Sequence, residues 1–370
     1  MAATQFGTND PQTRKAWSKR VEVEGLQKTY MKKFMGPEGS DSLIVNKSEL
    51  KKGKGDDITC ALFVELVGDG VEGDTTLKGK EESLDRHNQT IKVNQLRHAV
   101  NNLEGMTTQR TPFNLRKIGK DRLSNWYADR CDTVLFNHLA GNARQTDGRY
   151  TGHNTITAPT SERWFKANGK ANDENLVAAD KFTLEMIDYA VEKARTSTIA
   201  DGTGSPISPV SVNGEKMFVC FIHEYQLTDL RTTSAGRWRQ IQDALLAAST
   251  STKNPIFSGA AGLYNNTILH ATSRAPTGTN SSSNAEIATV RRAVFCGANA
   301  AMMATGGSSD VGNESAYSWS EETDDYGNQY NVAMSKIWGV KKSVYTPAVG
   351  SSQDHAAIVL SSYAAAHTGA

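Results

Sequence analysis

Residues 111–141 read TPFNLRKIGKDRLSNWYADRCDTVLFNHLAG, a stretch with no proline beyond its second position. Thr111 is a good N-cap, and Pro112 fits the first helical position, where its missing N–H costs nothing. Gly141 follows the last apolar residue, at the place of a left-handed C-cap. At the usual rise per residue this predicts a helix about 40 Å long. Leu123, Tyr127, Cys131, Val134 and His138 fall on one face, with Trp126 beside it. Arg116, Lys117, Lys120, Asp121, Asp129 and Asp132 need solvent or partner contacts. Two readings stand open here: an ordinary core helix of a mixed domain, or a structural spine.

The 370 residues give room for two or three packed regions around a substantial core. A formal net charge of +1 points to neither nucleic acid nor membrane as a bulk partner. Cys60, Cys131, Cys220 and Cys296 are far apart and form no CxxC pair, so packed, reduced thiols are expected. The opening MAATQFGTNDPQTRKAW lacks the apolar core of a signal peptide, and no run approaches membrane-spanning length. A product of the cytoplasm follows as the expectation.

Outward from the helix, the chain is uneven. Residues 1–54 carry eleven lysines and arginines, Arg14, Lys15 and Lys19 among them, against six carboxylates. Such a segment is a solvated tail, or an arm that orders on a neighbouring subunit. ITCALFVELV (58–67) and QTIKVNQLRHAV (89–100) read as strands around a polar, glycine-rich segment, which predicts a long protruding hairpin. A lone hairpin is only marginally stable and needs another surface.

Downstream, 142–178 reads as loose, and a second helix is expected over 181–195 with Asp180 as N-cap and Leu184, Ile187, Val191 and Ala194 as its stripe. DGTGSPISPV (201–210) marks a boundary. MFVCFI (217–222) is a strand, followed by a helical pattern through Trp238, Ile241, Leu245 and Leu246. NPIFSGAAGLYNNTILH (254–270) is a turn-rich entry to another strand, and 273–284 is a loop by composition. The alanine-rich 285–305 fits helix or strand, and 317–345 returns in strand-like pieces.

Possible chemistry is thin. Gly68, Gly70 and Gly73 satisfy GxGxxG after a strand, the pattern of a dinucleotide-binding enzyme. The following DTTLKGKEESLDRH lacks the apolar stripe that such a helix requires, so a loop tip is expected and no cofactor. His223-Glu224 lacks a second histidine, and the eight histidines show no ligand spacing. Glu321, Glu322, Asp324 and Asp325 lack the order of a calcium loop and read as a solvated turn. No metal site, catalytic residue or enzyme activity is expected.

Several stretches, in unchanged order over roughly 45–345, together resemble the major capsid proteins of tailed bacteriophages in the N-four-like branch. They are KGDDIT…GVEGDTTLKGKEESL…QLRHAV, QRTPFNLRKIGKDRLSNWYADRCDTVLFNHLAG, AADKFTLEMIDYA, FIHEYQLTDLR, Trp238 with Gln242, and NPIFSGAAGLYNNTILH. The family more often has proline where Glu224 stands, and Asn-Gly where this chain has Asn265-Asn266.

The resemblance implies an α+β, Hong Kong 97-like phage capsid fold. Residues 1–56 would be the N-terminal arm, 57–97 the extended loop over the adjacent subunit, and 98–204 the peripheral domain with the spine helix. Residues 205–305 would form the axial domain, and 306–370 the return to the peripheral domain with the tail. It also implies pentamers and hexamers of an icosahedral head around double-stranded DNA, in the virion. Portal, scaffold and decoration proteins are the further partners it suggests. Inter-subunit contacts are then expected at Gly68, Gly70, Gly73, Lys78, Lys80 and Glu81, and at Arg14, Lys15 and Lys19. Lys117, Lys120 and Arg122 are candidates to face DNA. The other classes to weigh are a non-capsid phage structural or binding module, and the dinucleotide-binding enzyme.

Overall fold

The computed structural model describes residues 29–51, 55–63, 70–81, 86–104, 110, 115–197, 205–212, 215–233, 235–251, 255–307, 317–324, 326, 328–345 and 352–367. Arg14, Lys15, Lys19, Gly68, Thr111 and Pro112 lie outside them. The chain enters through β1 (Met35–Pro37) and β2 (Ile44–Lys47), then forms β3 (Asp57–Phe63), β4 (Arg86–Lys92) and β5 (Asn94–Glu104). Helix α1 (Leu115–Leu139) and the short α2 (Gly148–Thr151) lead to β6 (Trp164–Lys166) and α3 (Leu184–Thr196). Strands β7 (Val210–Val212) and β8 (Glu215–Ile222) precede α4 (Glu224–Thr233) and α5 (Ala235–Ser251). Then come β9 (Ala260–Tyr264), β10 (Thr267–Ala271), β11 (Thr277–Thr279), β12 (Glu286–Cys296) and β13 (Ala301–Thr305). The chain closes with β14 (Tyr317–Asp324), β15 (Gln329–Lys342), β16 (Val344–Tyr345), β17 (Gln353–Asp354) and β18 (Ala357–Tyr363).

Two sheets organise these strands. A six-stranded sheet runs β1-β2-β13-β15-β14, with β5 on the other side of β15. An eight-stranded sheet runs β6-β18-β12-β8-β10-β9, with β11 on β12 and β7 on β8. The last strand, β18, sits inside the eight-stranded sheet, between β6 and β12. Its register with β12, Val290↔Tyr363 through Cys296↔Ala357, explains why: Ile358, Val359 and Leu360 are all buried there.

Helix α1 lies where both cores meet. Leu123 and Tyr127 pack with Tyr317, Trp319, Val332 and Met334 of the six-stranded sheet. Cys131, Val134, Leu135 and Leu139 belong to the main core with β8, β12 and β18. The expected stripe is therefore correct but narrow, because Phe136 and Leu139 on other faces are also fully buried. The Tyr127 hydroxyl sits 2.6 Å from the Met334 carbonyl and 2.8 Å from that of Leu96, tying α1 to β15 and β5. At the C-terminus Asn142 N–H donates to Asn137 O (3.0 Å) and Gly141 N–H to His138 O (3.1 Å). These are the two bonds of a Schellman closure, with Gly141 at φ +61° as the sequence predicts.

Elsewhere the structure corrects the reading. Residues 142–178 are not loose: β6 pairs in parallel with β18, and Asp173 is buried against Arg292 of β12 at 2.8 Å. Helix α3 begins at Leu184, because the Asp180 carboxylate is occupied by Val177 N–H (2.9 Å) and the Asn168 amide (2.6 Å). Its predicted stripe is buried throughout. The helical pattern after β8 divides into α4 and α5, and Leu246 stays exposed at 66%. Within 273–284, β11 pairs with β12. Residues 285–305 are strands, and Glu321 lies in β14, buried, with its carboxylate accepting from the Trp319 indole N–H at 2.8 Å, where a solvated turn was expected. Asn265 and Asn266, at φ +44° and +55°, make the two-residue turn of the β9–β10 hairpin, the conformation that asparagine tolerates next after glycine.

Candidate assembly surfaces

The hairpin is the feature that leaves the body. Strands β3 and β4 pair from Asp57↔Lys92 to Phe63↔Arg86 and belong to no larger sheet. One face of their base is apolar: Ile58, Cys60, Ile91 and Val93 are buried with Ala304, Met302 and Ile337. The root is fixed by a side chain that imitates a strand. Asn154 accepts from Lys92 N–H (3.0 Å) and donates to Lys92 O (2.8 Å). Gly339 allows this approach, since a Cβ there would lie 2.1 Å from the Lys92 carbonyl oxygen. Gln89 adds a bond to the Val344 N–H at 3.2 Å.

Residues 70–81 behave differently. All but Val71 are exposed, and among the described residues no hydrogen bond ties them to the rest of the chain. Gly70 and Gly73 adopt φ of +70° and +66° in open space, and no helix, which a dinucleotide-binding GxGxxG requires, starts within the described residues 70–81. Lys80 N–H donates to Leu77 O (3.0 Å), and Gly79 N–H to the Glu81 carboxylate (2.7 Å), which closes a local turn. Lys78, Lys80 and Glu81 are exposed in this turn. Gly70, Gly73, Lys78, Lys80 and Glu81 are thus together at one protruding tip.

The basic positions of α1 are not one surface. Lys117 and Arg122 are exposed, about 140° apart around the helix. Lys120 is only 5% exposed. Sequence reasoning passed over Asp132 as a site, noting only that it needs a partner. Its carboxylate accepts from Tyr30 N–H (2.9 Å) and Met31 N–H (3.1 Å), anchoring the incoming N-terminal segment to α1. Burial raises the Asp132 pKa, and those two N–H groups oppose the shift.

Also unforeseen is a cleft of about 360 Å³ between α1, β5, β15 and the α2 loop. Leu96, Val134 and Trp338 contribute its apolar floor, and Arg130, Arg149 and His153 its ionisable groups. The four thiols are free and buried, with burial pushing Cys131 up to about 11 and Cys220 to about 12, far from the reactive thiolate range. Among the described residues no three histidines, cysteines or carboxylates gather as a metal site, and no helix is long and apolar enough to cross a membrane.

A two-sheet body around a long helix, with a hairpin that ends in open space, defines a subunit built to be completed by other subunits. The phage capsid protein family model matches residues 5–366, and the chain belongs to that family. It is similar to the capsid of Ralstonia phage GP4, 29% identical with TM-score 0.82 over 100% of both chains. The major capsid protein of Pseudomonas phage KPP25 is 26% identical over 367 residues, covering 92% of this chain and 91% of that one. The capsid of Cyanophage Pam1, 20% identical with TM-score 0.66 over 92% of this chain and 94% of that chain, shares the fold. The α+β architecture is that of Hong Kong 97-like phage capsid subunits. The function is accordingly structural: this is a self-associating, non-enzymatic subunit of icosahedral phage heads, located in the virion capsid.

Proposed function

We propose that the chain forms the pentamers and hexamers of a head that encloses double-stranded DNA, and that it belongs to the N-four-like branch. The stretches quoted above, in their fixed order, support the branch assignment. The hairpin 57–92 is the extended loop, reaching over an adjacent subunit. The six-stranded sheet with α1 is the peripheral domain, and the eight-stranded sheet is the axial domain around the capsomer centre. The basic N-terminal segment, including Arg14, Lys15 and Lys19, is the arm; Asp132 fixes the point from which it departs. Lys117 and Arg122 contact phosphate without reading sequence. Portal, scaffold and decoration proteins meet the finished shell.

The observation that carries this reading is the tip at 70–81, where every residue but Val71 is exposed. Such a hairpin gains stability only on another surface, and closed symmetry supplies identical ones. Deleting 70–81 is expected to abolish shells in electron micrographs while the subunit keeps its circular dichroism spectrum. Normal shells from the deletion would refute the reading of the hairpin as an assembly element.

A further inference from the structure

Near the crossing between the two sheets one buried charge is left over. Arg163 has 0% of its surface exposed. It ends a single 3-10 turn, residues 161–163, just ahead of β6, and its backbone N–H donates to Thr160 O at 3.0 Å. Its guanidinium Nη2 donates to Ser205 O at 2.7 Å. Nε and Nη1 are enclosed and have no hydrogen-bond partner. Among the described residues no carboxylate forms an ion pair with Arg163; Asp354 and Glu162 act on it from farther away.

Neither of those carboxylates balances the charge. Asp354 already pairs with Lys342 at 2.8 Å, so the two together add no net charge wherever their proton lies. Glu162 is exposed, and solvent screens it. His355 contributes none: burial, and then the Arg163 charge, lower its pKa to about 4, which leaves the ring neutral near pH 7. Burial lowers the Arg163 pKa as well, but a guanidinium keeps its proton inside a protein. This corner therefore holds one net positive charge away from water, which is strongly unfavourable until a counter-charge joins it.

The side chains that border Arg163 can all donate hydrogen bonds. Thr160 Oγ1, Ser343 Oγ and His355 Nδ1 are enclosed without partners. Thr160 caps the turn that carries Arg163, and His355 N–H donates to Ser343 O at 3.0 Å. Tyr345 joins the two segments: its hydroxyl accepts from Ser205 N–H, and its ring lies edge-on to His355 with centroids 5.6 Å apart. Hydroxyls rotate freely, and a neutral imidazole carries its proton on Nδ1 in one of its two tautomers.

We propose that this corner binds one small monovalent anion, of the size of chloride, on Nε and Nη1 of Arg163, with Thr160, Ser343 and His355 supplying the remaining donors. One negative charge cancels the excess, whereas a divalent oxyanion would overshoot it. The ion ties the 161–163 turn to β17, and so fastens the chain ahead of β6 to the crossing held by Lys342 and Asp354.

The test is thermal melting of the full chain in sodium chloride, sodium bromide and sodium gluconate at equal ionic strength. Chloride and bromide should each raise the melting temperature in a saturable way, by about 3 °C at a hundredfold excess over the dissociation constant. Gluconate is too large to enter and should give no such rise. Arg163→Met should abolish the halide effect. Thr160→Val keeps the charge and should weaken halide affinity about tenfold. Crystals of the unmodified chain grown in bromide give a reading that needs no variant: an anomalous peak is expected within hydrogen-bond reach of Arg163 Nε and Nη1. Water alone at that place, a halide effect that does not saturate, or one that survives Arg163→Met would overturn the proposal.

Discussion

Lys342 and Asp354 form an ion pair with no solvent access on either side chain: the ammonium nitrogen lies 2.8 Å from one carboxylate oxygen and 2.9 Å from the other. Lys342 is the last residue of β15 in the six-stranded sheet, and Asp354 lies just ahead of β18 in the eight-stranded one. The pair thus pins the crossing between the sheets. Burial lowers the lysine pKa and raises that of the aspartate, and each partner's charge opposes the shift of the other.

Removing one partner strands the other charge. Lys342→Ala should cost about 3–5 kcal/mol in denaturant unfolding of the isolated subunit, whereas Lys342→Met with Asp354→Leu should recover most of it. A single substitution costing under about 1 kcal/mol would show that the pair does not hold the crossing.

Gly141→Ala meets two penalties at once. The residue needs φ +61°, and its new Cβ would lie 2.6 Å from the Pro159 ring. We expect a loss of about 2–4 kcal/mol, against about 1 kcal/mol for Gly70→Ala, whose φ is +70° in open space. Equal melting temperatures for the two variants would contradict this.

Burial depresses four histidines: His138, His223 and His355 to about 4 and His270 to about 3. Between the ordinary value near 6.5 and those folded values, the unfolded chain binds more protons than the folded one. Their stability contribution is therefore complete above pH 6.5 and is lost as pH falls from 6.5 towards 4. His138 alone accounts for on the order of 3 kcal/mol. Thermal melts should fall steadily across this window, and a flat profile would count against the buried neutral rings.

Asp132→Ala leaves the Tyr30 and Met31 N–H groups without their acceptor. A loss of about 1–3 kcal/mol is expected, with faster protease cleavage ahead of residue 35, while Asp132→Asn should keep much of the anchor. Unchanged cleavage in the alanine variant would remove Asp132 from this role.

What the sequence revealed and what it hid follow from range of interaction. The C-cap at Gly141, the strand MFVCFI and the α3 stripe depend on neighbours within a turn or two, so they were legible. Strand β6 is three residues long and pairs with β18 nearly two hundred positions later, which no local pattern can announce. Residues 285–305 fit helix as well as strand because the second half of β12, residues 292–296, is buried on both faces and has lost its alternation. The hairpin was evident as two β-rich runs, but its root was not: Asn154 and Gly339 come from distant loops and strands. The cleft was invisible for the same reason, since Arg130, Arg149 and Trp338 meet only in three dimensions.

The Tyr127 hydroxyl reaching β5 and β15, together with the α1 residues buried against β8, makes the body one stiff tile. A particle paved with such tiles has little give inside each piece. Any swelling, flattening or hardening of the container must then be absorbed in the grout between pieces, by their slender extensions.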